Sequence, residues 1–228
     1  MGQTLSFRGK LNPKSNNGIG TFTISKKCNL IGNCMSLLFK DSANEYDSLL
    51  NFKYAFFKLF SNCTNIITVS EKFLPATTLR ENCYASMFQG CTSLTIAPKL
   101  PATTLYEYCY SGMFVECTSL VTAPELPATT LAPYCYCYMF YGTSLTTSPI
   151  LPATILDRFC YAGMFMKCNK LNKITMLAMD ISAHQCLNGW VDGIASTGTF
   201  IKIAAMQILP NGQSGIPYGW TVKNYIEE

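Results

Sequence analysis

From Leu74 to Met176 the apolar positions of the chain recur with a fixed long period. The stretches LPATTLRENCYASMFQGCTSLTIAPK from Leu74, LPATTLYEYCYSGMFVECTSLVTAPE from Leu100, LPATTLAPYCYCYMFYGTSLTTSPI from Leu126 and LPATILDRFCYAGMFMKCNKLNKITM from Leu151 align at nearly every apolar position. The period is 26, with one unit of 25 where the turn cysteine is missing between Gly142 and Thr143. A partial upstream copy sets Phe60, Cys63, Thr64 and Ile66 28 residues before Phe88, Cys91, Thr92 and Leu94. Self-similarity at such a period marks a repeat architecture, in which a unit too small to bury its own apolar face does so against its neighbours.

Each unit divides into two parts. In LRENCYASMF, Leu79, Cys83 and Met87 fall four apart with Tyr84 and Phe88 beside them, which predicts a short helix with one buried face. Thr78 with Glu81 and Thr104 with Glu107 have capping-box spacing, and Pro133 fits a first helical turn. A tight turn at Gly90 and Cys91 leads to an extended run at 93–97, which the proline at 98 ends, as those at 124 and 149 do in later units. The predicted class is α/β: a stack of 25–26-residue coils, short parallel strands on one face, short helices on the other, and non-repeat caps. Stacking turns Leu94, Leu120, Leu145 and Leu171 into one internal ladder, Phe88, Phe114, Phe140 and Phe165 into a second, and Met87, Met113, Met139 and Met164 into a third. Thr95, Val121, Thr146 and Asn172, with Ala97, Ala123, Ser148 and Ile174 beside them, are expected to point out from the strands as a contact face of little charge.

The chain is expected to be one elongated domain, with an N-terminal cap at 1–53, the array at 54–176 and a C-terminal cap at 177–228. Strands are expected near 5–8 and 21–25. In the C-terminal cap a helix is expected around 183–190, then a strand in TGTFIKI and a closing hairpin or strand in GIPYGWTVKNY, with Trp220 plugging the core.

Apolar residues make up 49% of the chain and charged ones only 13%, so Thr, Ser, Asn and Tyr must cover much of the surface. The net charge of +4 draws on Lys10, Lys14, Lys26 and Lys27 near the start, not on a basic stripe along the coils, and nucleic acid is not an expected partner. No apolar run is long enough to cross a bilayer, and MGQTLSFRGK lacks the apolar core and small-residue cleavage site of a secretory leader.

Twelve cysteines raise the question of disulfides or zinc, but Cys83, Cys109, Cys135 and Cys160 form one repeat column and Cys91, Cys117 and Cys168 another, with no CxxC pair. The expected role is compact apolar packing by free thiols, with no metal or cofactor. LPATT differs from the LPxTG wall-anchoring signal by threonine in place of glycine, and reads as a turn. His184 is the only histidine, and Glu81, Glu107, Glu116 and Glu125 form no evident acid–base pair, so no catalytic residue is assigned. The complete column Tyr84, Tyr110, Tyr136 and Tyr161 reads as core with hydroxyls at the rim. The variable Tyr106, Tyr108, Tyr134, Tyr138 and Tyr141 are the candidates for exposed contacts to sugars or a protein partner.

The units carrying CYxxMF, then CTSL, then a proline-delimited LPATTL resemble the BspA-like leucine-rich repeats of Bacteroides surface proteins, closely over 54–176 and more loosely through GTF at 198–200 and the terminal IPYGWTV. That resemblance implies a leucine-rich repeat solenoid, a place at the cell surface or outside the cell, and adhesion to protein or glycan partners on a host or bacterium. The leading expectation is a non-enzymatic interaction or adhesion module. The alternative is a structural or spacer component of an envelope appendage or phage particle.

Overall fold

The computed structural model describes residues 3–4, 20–39, 47–206 and 209–227. The protein is α/β, with parallel strands in two sheets. Strands β1 (Gln3–Thr4), β2 (Cys28–Leu30) and β3 (Ile66–Val69) form one sheet in that order; β4 (Thr147–Leu151), β5 (Lys173–Met176), β6 (Thr199–Lys202) and β7 (Thr221–Asn224) form the other. The described residues hold one α-helix, α1 (Ser36–Phe39), and a single 3-10 turn at Glu71–Phe73. The strand expected near 5–8 lies outside the described residues, and 21–25 carries no strand, the nearest being β2.

The helices expected in each repeat are not helices. From 80 to 91 the backbone makes a run of consecutive turns in which every fourth residue is left-handed: Asn82 (φ 57°), Ser86 (φ 52°) and Gly90 (φ 71°). Tyr108, Gly112 and Glu116 repeat the pattern, as do Tyr134, Tyr138 and Gly142, then Phe159, Gly163 and Lys167, then Gln185, Gly189 and Gly193. The hydrogen bonds divide by parity. Cys83, Ala85, Met87, Gln89 and Cys91 donate back three residues, to Arg80, Asn82, Tyr84, Ser86 and Phe88, at 3.1–3.3 Å. The residues between them, Asn82, Tyr84, Ser86, Phe88 and Gly90, donate to Glu107, Cys109, Ser111, Met113 and Val115 of the next coil at 2.8–3.2 Å. An α-helix keeps its amides for itself. This run gives half of them to its neighbour, so the coils are joined by backbone bonds as well as by packing, and every amide from Asn82 to Cys91 has an acceptor. The capping-box pairs are put to other uses: Thr78 forms bridges with Ser48 and Thr104, and Glu81 pairs with Lys53 (3.1 Å) and Arg80 (3.0 Å).

A backbone repeat of four residues places Cys83, Met87 and Cys91 in one inward row and Tyr84 and Phe88 in another, all buried. Across coils the rings stack. Phe60, Phe88, Phe114, Phe140 and Phe165 follow one another at 5.7–5.9 Å with planes within 7° of parallel, and Trp190 ends the column tilted by 52°. Phe56, Tyr84, Tyr110, Tyr136 and Tyr161 form a second column at 5.7–6.1 Å. Full burial of one such ring contributes roughly 2–3 kcal/mol. The turn cysteines tie adjacent coils: the thiols of Cys91, Cys117 and Cys168 donate to the carbonyls of Phe60, Phe88 and Phe140 at 3.2, 3.1 and 2.9 Å. Where the repeat is one residue short, Thr143 stands in the turn, buried, and donates to Phe140 O at 3.0 Å.

The same bonding runs on beyond Met176. Phe159, Tyr161, Gly163, Phe165 and Lys167 donate to residues 184–192, so the segment expected as a cap helix is another turn run. The strand in TGTFIKI appears as β6, and the end of the chain contributes β7. Trp220 is buried beside Gly198 and donates through Nε1 to Ala195 O at 2.8 Å.

Candidate binding face

Opposite the turn runs the run expected at 93–97 is not a strand but makes one parallel bridge, Thr68 with Ile96, and the matching stretch after Leu120 makes none; the expected contact residues separate by exposure. Thr95, Val121, Thr146 and Asn172 are exposed, one above another on successive coils. Ala97 and Ala123 are half-buried, while Ser148 and Ile174 are buried. This second row therefore does not point outward. In β5 the inward position falls on Ile174, and the register shift between Thr147 and Ile150 turns Ser148 inward, where its Oγ accepts from Thr175 N at 3.1 Å and donates to Pro149 O at 2.8 Å. The outward neighbours are instead Ile96, Thr122, Thr147 and Lys173.

The tyrosines lie on the turn-run side. Tyr106, Tyr108, Tyr134 and Tyr141 are half-buried and only Tyr138 is exposed. Tyr108, Tyr134 and Phe159 stack at 4.5 and 4.6 Å, and His184 meets Phe159 edge-on at 5.3 Å. A ring covered by its neighbours has no face left for a sugar: Tyr134 is closed on both sides, and Arg80 already lies 4.6 Å from the centre of Tyr106. Tyr138 leans on Gly163, where a methyl group would collide with its ring. The hydroxyls of Tyr110 and Tyr136 are buried without a hydrogen-bond partner among the described residues, and that of Tyr84 is buried against the Cys34 thiol, so none of the three is at the rim.

All twelve cysteines are buried free thiols. Burial pushes Cys83 and Cys91 up to about 12 and Cys137 to about 11, which keeps them protonated and weakly nucleophilic. Among the described residues no group of three or more His, Cys, Asp or Glu side chains is placed to hold a metal ion. No helix among the described residues is long and apolar enough to cross a membrane.

Several exposed apolar side chains on the extended side were not singled out by the repeat: Ile96 is 57% exposed, Ile150 48% and Ile155 64%. Between two coils Ala123, Glu125, Leu126, Pro127, Pro149, Ile150 and Pro152 line a cleft of about 300 Å³. The sequence does carry a signal for it, because the residue before the repeated LP changes from Lys99 to Glu125 to Ile150 while its surroundings stay constant. Lys99 pairs with Glu71 at 2.8 Å, whereas Glu125 is exposed and Ile150 carries no charge at all. Comparison with protein-family models, with curated proteins and with solved structures finds no match to the chain.

Proposed function

We propose that the chain is a non-enzymatic interaction module, a BspA-like leucine-rich repeat solenoid displayed at a cell surface or outside the cell, which holds a protein partner on its extended side. The observation that carries this reading is the exposed row of Thr95, Val121, Thr146 and Asn172 with Ile96, Ile150 and Ile155 around it. Weakly charged apolar and hydroxyl groups repeated on a rigid core offer area that desolvates at little cost, as an interface centre does. A protein fits better than a glycan, since the stacked tyrosines offer few open ring faces. The second reading, a structural spacer in an envelope appendage or phage particle, draws support from the unbroken coil-to-coil bonding of the turn runs, which suits a stiff rod.

The test is binding of the purified chain to arrays of extracellular-matrix proteins and oligosaccharides. Saturable binding, weakened about a hundredfold or more by the triple change Thr95→Glu, Val121→Glu and Thr146→Glu but not by Glu116→Lys on the turn-run side, is the expected result. Binding that ignores the triple change removes the extended side as the contact surface, and end-to-end assembly with no binding favours the spacer. Immunogold labelling of the producing culture separates envelopes from released particles, and label confined to cytoplasm sinks both readings.

A further inference from the structure

Among the described residues, hydrogen bonding between coils on the extended side is interrupted at residues 121–131. The preceding segment bonds backward: Thr95 N to Ile67 O, Lys99 N to Glu71 O, and Thr103 N and Thr104 N to Thr77 O. The following segment bonds forward: Asn172 N to Thr146 O, Leu177 N to Leu151 O, and Met179 N and Asp180 N to Thr154 O, beside the pairing of β4 with β5. Among the described residues, 121–131 makes no hydrogen bond to either neighbour, and β4 is unpaired on the edge facing it. The prolines do not explain the gap, because Pro98 occupies the matching place in a segment that does bond. The gap spans the junction into the short repeat unit that begins at Leu126.

The cleft opens at this seam. Its lining is apolar and rich in proline, and Glu125 is its one charged member; Lys99, the base nearby in the repeat, pairs with Glu71 at 2.8 Å and feels Glu125 only through the longer-range field. Unbonded backbone beside a strand edge is what an extended chain can pair with, an apolar cleft takes a side chain, and an exposed carboxylate takes a cation. We propose that the seam is a peptide-binding site, accepting an extended segment that pairs with the open edge of β4, seats an apolar side chain against Ile150 and Pro127, and sets a neighbouring Lys or Arg against Glu125. The inference rests on the reading of the extended side as the contact surface and names the class of partner it takes.

The experiment uses the whole chain with a positional-scanning library of fluorescein-labelled decapeptides, read by anisotropy, together with hydrogen-exchange mass spectrometry. Selection should fall on an apolar residue next to a basic one. Glu125→Lys should reverse that preference toward Asp and Glu, Ile150→Asp should weaken binding about tenfold or more, and Glu116→Lys should leave it unchanged. The amides of 121–131 should exchange fast in the free chain and slow with peptide bound. The proposal is overturned by a library without residue preference, by a preference that Glu125→Lys does not alter, or by protection appearing away from the seam. Protection of 121–131 that grows with protein concentration in the absence of peptide also overturns it, and assigns the seam to a second copy of the chain. If the peptide test fails while the triple charge change still abolishes binding to the arrays, only the peptide class falls. If both fail, the contact surface falls with it.

Discussion

Along 108–116 every second amide reaches the next coil, whereas along 121–131, on the other side of that same coil, none does. The turn-run side combines backbone bonds, two columns of stacked rings and a row of thiols that donate across coils. The extended side has two sheets that do not meet. Both sides derive from the same repeat, so the difference shows where cohesion resides: neighbouring coils are clamped on one side, leaving the other free to vary its exposed residues.

The largest way to break this comparison is alkaline pH. Cys83 and Cys91 are held at about 12 by burial, against an ordinary value of 9.0, so folding requires both thiols to stay protonated. Their contribution is complete below about pH 9. It is lost as pH rises toward 12, because the unfolded chain can release these protons and the folded chain cannot, at about 1.4 kcal/mol per thiol for each pH unit. The tyrosines at 84, 110, 136 and 161 are shifted upward by burial and act in the same direction at higher pH. The melting temperature should therefore be level between pH 7 and 8.5 and fall steeply above 9. A level profile to pH 10.5 would show that water reaches the thiols. Next in size is the ring column itself. Phe114→Ala opens a gap between Phe88 and Phe140 and should cost about 3–5 kcal/mol in urea unfolding, while Val121→Ala, at an exposed site on the other side of the coil, should cost about 0.5 kcal/mol or less.

The repeat, the inward ladders and the parallel strands β5 to β7 were legible in the sequence, because apolar columns record burial whatever the backbone does between them, whereas β1 and β2 lie away from the strands expected near the start and 93–97 forms one bridge, not a strand. The turn runs were not. Leu79, Cys83 and Met87 stand four apart, a spacing that satisfies a helical stripe over two turns equally well as a four-residue turn repeat. The distinguishing signal lay on the outer side, in Gly112, Gly163 and Gly189, which share one column and mark a left-handed position that a helix would not have. Thr95, Val121, Thr146 and Asn172 are exposed, as alternation predicts for the outward row. Its companions were misplaced because strict alternation was assumed through Ser148, where the register shifts, and at Ile174, which β5 turns inward. The unbonded seam itself was not legible, since Pro98 and Pro124 look alike in sequence and only their coils' bonding differs, although the change from Lys99 to Glu125 to Ile150 marks the cleft beside it.

Two substitutions in that glycine column sharpen the distinction between a turn run and a helix. Gly163→Ala adds a methyl group at φ 61° and drives it into the ring of Tyr138. The left-handed conformation alone costs about 1–2 kcal/mol for an L-residue, and displacing the ring adds to this. The double variant Gly163→Ala with Tyr138→Ala should return only the steric part, leaving the conformational part in place. In a helix, Gly163→Ala would stabilise by up to about 1 kcal/mol.

Ser86→Gly is the smallest effect and the cleanest in sign. Ser86 holds φ 52°, and its amide bond to Ser111 O at 2.8 Å is unchanged by the substitution. Removing the side chain relieves the left-handed strain of about 1–2 kcal/mol, while the greater freedom of glycine in the unfolded chain takes back about 0.4–1 kcal/mol. The variant should therefore gain about 0.5 kcal/mol, seen as a small rise in urea midpoint at constant slope. Glycine at an exposed helical position lowers stability, so a fall of similar size would return residues 80–91 to the helix that their spacing first suggests.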